Sequence, residues 1–137
     1  GKLRPMGAQE SESFWTTTRE ISAFASASIL WRLSLPPSRG AGVAQDLCGA
    51  GADWLMDCAG GLVWIPGIED AARVRAVASK AGGHATLIRA PASMRAKIPA
   101  LHPPAPGVAR MERAVRAAFD PAGVFEIGRF LDGPEAA

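Results

Sequence analysis

Between Ile29 and Ala90 the hydrophobic period switches in a fixed order, and that order restricts the chain to few folds. "ILWRLSLPP" alternates with a period of two, which puts Trp31, Leu33 and Leu35 on one face and Leu30, Arg32 and Ser34 on the other. Pro36 and Pro37 end this strand. A short helix follows from about Ala41 to Cys48, with Val43, Ala44 and Leu47 inward. "ADWLMDCAGGLVWIPG" reads as two strands joined by a tight turn at Ala59-Gly60-Gly61, where glycine supplies positive φ. Glu69 to Ala81 is the clearest helix: acids stand in its first turn, Lys80 in its last, and Gly82-Gly83 stop it. Its apolar stripe is Val74, Val77, Ala78 and Ala81. "HATLIRA" is the last strand.

The order is β-α-β-β-α-β, the split βαβ or ferredoxin-like unit. Right-handed crossovers put both helices on one face of a four-stranded antiparallel sheet, with the first and third strands central. The expected class is α+β, with flanking N- and C-terminal helices. The second face of the sheet is left open to solvent, a partner or a ligand.

The flanks add three segments. Glu10 to Phe24 has helical periodicity, with Ser11 or Ser13 as cap and Phe14, Thr18, Ile21 and Ala25 on one face. After Ala90 comes "PASMRAKIPALHPPAPG", a loop long enough to be functional or docked. Val108 to Phe119 is a helix with Val108, Met111, Val115 and Ala118 inward and Arg110, Arg113 and Arg116 outward. Asp120-Pro121 breaks it, and an apolar tail follows through Val124, Phe125, Ile127, Phe130 and Leu131. The expected organisation is one domain over 1–137: core 29–90, loop 91–107, helix and tail 108–137. The chain opens on "GKLRPMG" without a start methionine, as a piece of a longer protein would.

Composition excludes several functions. The 137 residues are 48% hydrophobic and 20% charged, ordinary globular usage. A net charge of +2 with scattered arginines, and no tyrosine, argues against nucleic acid. Cys48 and Cys58 form no CxxC motif and read as buried small hydrophobes. His84 and His102 lack metal-ligand spacing, so no metal site is expected. No apolar run is long enough to span a membrane.

Six segments in order carry a resemblance: "FWTTTRE", "LWRLSLPP", "AGGLVW", "GGHATLIRAP", "LHPPAPGVARM" and "FDPAGVFEIGRF". Together they resemble the C-terminal part of the FAD-binding E subunits of bacterial glycolate oxidases, within the FAD-linked oxidases of the vanillyl-alcohol oxidase type. The chain departs from the family at Glu126, commonly Asn there, and at Val63, often Arg. The resemblance implies a cap domain closing over FAD that is held by the protein's own N-terminal FAD-binding domain. It implies oxidation of glycolate, a small 2-hydroxy acid, to glyoxylate, in a complex with a second flavin subunit and an iron–sulfur subunit. It also implies a cytoplasmic location, at the inner face of the bacterial membrane through that complex. Without the FAD-gripping domain, the fragment is expected to bind no FAD and to be inactive alone.

Four residues are candidates to face substrate or flavin. Arg32, mid-strand among apolar neighbours, suits a carboxylate because a guanidinium is planar, bidentate and always charged; the alternative is a structural ion pair. His84 and Thr86 share one face of the last strand, where His84 is either a general base for an alcohol proton or a strand-end residue satisfied by backbone. Arg129, in the tail, is the fourth; the resemblance runs such tails back onto the flavin domain. Arg89 reads as solvated or loop-anchoring, and His102, beside two prolines in the loop, as loop surface with lining of the cleft as the alternative. A reading of another class is a ferredoxin-like ligand-sensing or oligomerisation module without catalysis. With the flavin domain missing, self-association through the tail and the open sheet face is expected.

Overall fold

The computed structural model describes residues 4–49 and 51–125. Its elements are α1 (Ala8–Arg19), β1 (Leu30–Ser34), α2 (Gly40–Cys48), β2 (Leu55–Asp57), β3 (Leu62–Pro66), α3 (Ala71–Lys80), β4 (His84–Arg89), α4 (Ala92–Arg95) and α5 (Pro106–Phe119). The strands form one antiparallel sheet in the order β2-β3-β1-β4. This is the split βαβ arrangement expected from the periodicity, with β1 and β3 central.

The period-two alternation of β1 sorts its residues between two faces, although Leu30, on the second face, is buried as well. Trp31 and Leu33 have no exposed surface, and neither do Val63 and Ile65 of β3 or Ala85 of β4. They join Val43, Ala44 and Leu47 of α2 and Val74 and Ala78 of α3 in one apolar cluster. Trp31 brings a polar N–H into that cluster, and its Nε1 donates to the Ile68 carbonyl at 2.8 Å. Asp70 caps α3 by accepting from the Arg73 N–H. The acids expected in the first turn of this helix therefore stand just before it.

Two glycines permit the tightest approaches. A Cβ at Gly83 would overlap the Ser34 carbonyl and Leu35, so the chain can enter β4 beside the end of β1 only with glycine there. A Cβ at Gly40 would overlap the Gly60 carbonyl, where α2 begins against the β2–β3 connection. That connection differs from expectation. Positive φ falls on Cys58, Ala59 and Gly60, whereas Gly61 has ordinary φ. Asp57 Oδ1 accepts the Cys58 N–H at 2.6 Å and supports the strained backbone. Cys58 is exposed and Cys48 half-buried, so neither is the fully buried hydrophobe expected.

The flanks depart furthest from the sequence reading. α1 starts after Gly7, not at a capping serine, and ends at Arg19; Ile21 in the left-handed region separates it from a 3₁₀ turn at Ser22–Phe24. No residue of α1 is buried, and Phe14 and Trp15 stack edge-to-face on its exposed surface. α5 forms over the expected span, yet its stripe does not turn inward. Val108, Met111 and Val115 are exposed, Met111 at 70%, and Phe119 beyond them at 85%. Ala118 is exposed as well. An amphipathic helix announces an apolar face, but the described residues contain no surface packed against this one. Val124 and Phe125 are also exposed.

The Pro-rich segment is docked. The Leu87 N–H, on the outer edge of β4, donates to the Ala100 carbonyl at 2.8 Å. The Arg75 guanidinium reaches from α3 to the carbonyls of Pro99 and Leu101. Residues 99–102 thus lie along β4 as a strap. At the other end of the strand, Arg89 Nη1 lies at 2.8 to 3.1 Å from the carbonyls of Phe24, Ala25 and Ala27. Arg89 therefore anchors the segment between α1 and β1, the second of its two expected roles.

Candidate functional site

The sheet face away from α2 and α3 carries the other residues of the strands, and it is not open throughout as expected: Leu30 on this face is 2% exposed, paired with Arg89, which holds the Phe24–Ala27 segment. Cross-strand register aligns Leu55, Trp64, Arg32 and Thr86 in one row. The next row is Asp57, Leu62, Ser34 and His84. Directly opposed residues have Cβ atoms about 5 Å apart, so Arg32 is a neighbour of both Trp64 and Thr86. Three of the four candidates therefore meet on one face: Arg32 and Thr86 as direct partners, His84 one pair along and exposed. Arg129 lies outside the described residues.

Arg32 is the unusual member. Its side chain is half-buried, and its Nε is shielded from solvent without a hydrogen-bond partner. No carboxylate pairs with it among the described residues; the ion pair between Arg4 and Glu10 lies far along the chain, at the start of α1. A buried unsatisfied donor on a charged group costs about 1–3 kcal/mol or more, a cost an incoming acceptor relieves. Trp64 beside it supplies a flat apolar wall, and Thr86 a hydroxyl. This combination suits a small planar anion: a carboxylate for the guanidinium fork and a polar group for the hydroxyl.

The sequence reading missed His102. Its Nδ1 accepts the Ala85 N–H at 3.1 Å, and its Nε2 lies 3.1 Å from Ser79 Oγ. Burial, with Arg75 and His84 adding to it, holds the imidazole below the ordinary histidine pKa. The signal available in the sequence was a histidine in a loop too long to be idle. Cys48 shifts the opposite way: burial raises its thiol pKa, against the pull of Arg73. No group of His, Cys, Asp and Glu able to hold a metal ion occurs among the described residues. No described helix is long and apolar enough to cross a membrane.

The class defined by these observations is a ferredoxin-like α+β module whose second sheet face carries a half-buried arginine among apolar and polar neighbours. The chain is similar to glycolate oxidase subunit GlcE of Escherichia coli strain K12, with 30% identity over 125 residues. The match takes in 90% of this chain and 32% of that protein, so the chain spans about a third of the length of this curated relative. No protein-family profile matches the chain, and no solved structure does.

Proposed function

We propose that this chain is the C-terminal cap domain of a flavin-dependent glycolate oxidase subunit, with core 29–90, loop 91–107 and helix and tail 108–137. The observation that carries the reading is the second sheet face, where Arg32 keeps a buried Nε without a partner beside Trp64 and Thr86. The similarity to GlcE along 90% of the chain supports it. In the parent protein this face closes over the substrate. Arg32 grips the carboxylate of a small 2-hydroxy acid, Thr86 lends its hydroxyl, and His84 at the rim takes the alcohol proton. FAD, when bound by the preceding domain, supplies the hydride acceptor. The orphaned Arg32 donor fits either the substrate carboxylate or a carbonyl oxygen of that group. This chain contributes binding, orientation and exclusion of water. Arg129 of the tail meets the flavin domain, and the exposed stripe of α5 packs on other parts of the assembly, whose further members are a second flavin subunit and an iron–sulfur subunit. The complex works on the cytoplasmic side of the membrane.

The test uses the parent protein with its preceding domain. Arg32→Lys keeps the charge and loses the fork. We expect kcat/KM for glycolate to fall roughly ten- to a hundred-fold, the equivalent of about 1.5–3 kcal/mol. Unchanged kinetics would assign Arg32 to structure. A parent protein that binds no flavin, or oxidises no 2-hydroxy acid, would sink the whole reading.

A further inference from the structure

The strap at 99–102 is held to the sheet by one titratable side chain. His102 Nδ1 accepts the Ala85 backbone N–H, so Nδ1 carries no proton in this arrangement. The neutral ring then has its proton on Nε2, which faces Ser79 Oγ at 3.1 Å. Both ring nitrogens are used, and both bonds cross between segments: one to β4, one to α3. The other strap contacts go to the Leu87 N–H and the Arg75 guanidinium, which do not titrate near neutral pH.

We propose that His102 is a pH-sensitive latch, whose protonation breaks the bond to Ala85 and loosens the 99–102 strap from β4. The added proton sits on Nδ1, turning an acceptor into a donor that faces another donor. Neither N–H can then satisfy the other, and a buried N–H without a partner costs about 1–3 kcal/mol. The groups whose charge reaches the ring are Arg75 from α3 and His84 from β4. Both repel an imidazolium, and no carboxylate is paired with His102 among the described residues. The direction of the linkage follows. The latched ring has its pKa pushed down from 6.5, first by burial and then by Arg75 and His84. The open form therefore binds the proton better. The latch contributes fully above 6.5, the ordinary value, and is lost as pH falls through the depressed one. Because the strap leads from α4 to α5, acidification frees the path of the chain between them.

The proposal stands on this chain's own geometry and is independent of the oxidase reading. Its test is amide hydrogen exchange of Ala85 in the 137-residue chain. Leu33, at the sheet centre, is the internal reference that cancels the intrinsic pH dependence of exchange. We expect Ala85 protection relative to Leu33 to fall about tenfold or more between about pH 7.5 and pH 5. His102→Asn keeps an acceptor near the Nδ1 position and cannot titrate, so its ratio should stay flat. A flat ratio in the wild-type chain overturns the proposal. An equal fall in His102→Asn also overturns it, because another group would then be responsible. Should the variant not fold, the ¹⁵N shifts of the wild-type imidazole decide: titration at or above about 6.5 refutes the latch.

Discussion

The Arg75 guanidinium carbon lies 5.7 Å from the centroid of the Trp31 ring, and the Trp31 N–H is spent on the Ile68 carbonyl. One aromatic side chain therefore joins the sheet centre, the start of the α3 connection and the arginine that holds the strap. Trp31→Phe should keep most of the apolar burial while removing the hydrogen bond and some ring volume. The expected loss of stability is about 1–3 kcal/mol, read from the midpoint of urea unfolding. A variant as stable as the parent would show that the Ile68 bond contributes nothing net.

Arg32 should behave in the opposite way. Its half-buried stem packs on the sheet while its Nε has no partner. Arg32→Met keeps the stem and removes the orphaned donor. This variant of the chain should be as stable as the parent or more stable, by up to about 1–3 kcal/mol. A destabilised Met variant would mean that the guanidinium holds the fold together. Stability given up at a single residue is the pattern expected of a residue kept for binding.

Gly83→Ala tests the close approach at the mouth of β4. Its Cβ would meet the Ser34 carbonyl and Leu35, both part of or beside the central strand. Neither can yield without moving β1, so a loss of about 2 kcal/mol or more is expected from thermal or denaturant unfolding. Gly42→Ala is the control, since nothing lies within 4 Å of a Cβ there. That variant should gain a few tenths of a kcal/mol, up to about 1 kcal/mol, from helix propensity.

The two thiols should separate chemically. Cys58 is exposed, whereas Cys48 is half-buried with its pKa raised by burial. Near neutral pH a small disulfide reagent should modify Cys58 first and Cys48 at least about tenfold more slowly. Peptide mass mapping of the partly labelled chain reads this directly. Equal rates would show that the C-terminal end of α2 opens readily.

Sequence reading succeeds here where one local rule fixes the answer. Trp31 and Arg32 are adjacent, so the burial of one on the helix side forces the other onto the second face. The same alternation puts Thr86 beside Arg32 once β4 pairs with β1. The α5 stripe was legible as amphipathic, but no local rule says what such a stripe packs on, and in this chain Met111 and Val115 face solvent. The capping serines of α1 failed because α1 begins three residues before Ser11, at Ala8 after Gly7. The loop length marked His102 as a residue with a role, but not which role, because its partners, Ser79 and Ala85, lie 23 and 17 residues away and meet it only after the loop has closed. Arg129 lies beyond the described residues, and the structure leaves its role where the resemblance put it.

The strap over β4 also limits how copies of this chain can stick together. A sheet grows by adding strands to an unpaired border, the route to runaway association. Here one border is already occupied by 99–102, and the other is β2, which offers just Leu55–Asp57. Three residues give a poor template for another strand. Backbone pairing at the described sheet edges is therefore disfavoured, which leaves side-chain surfaces such as the exposed stripe of α5 as the place where single substitutions would tune association.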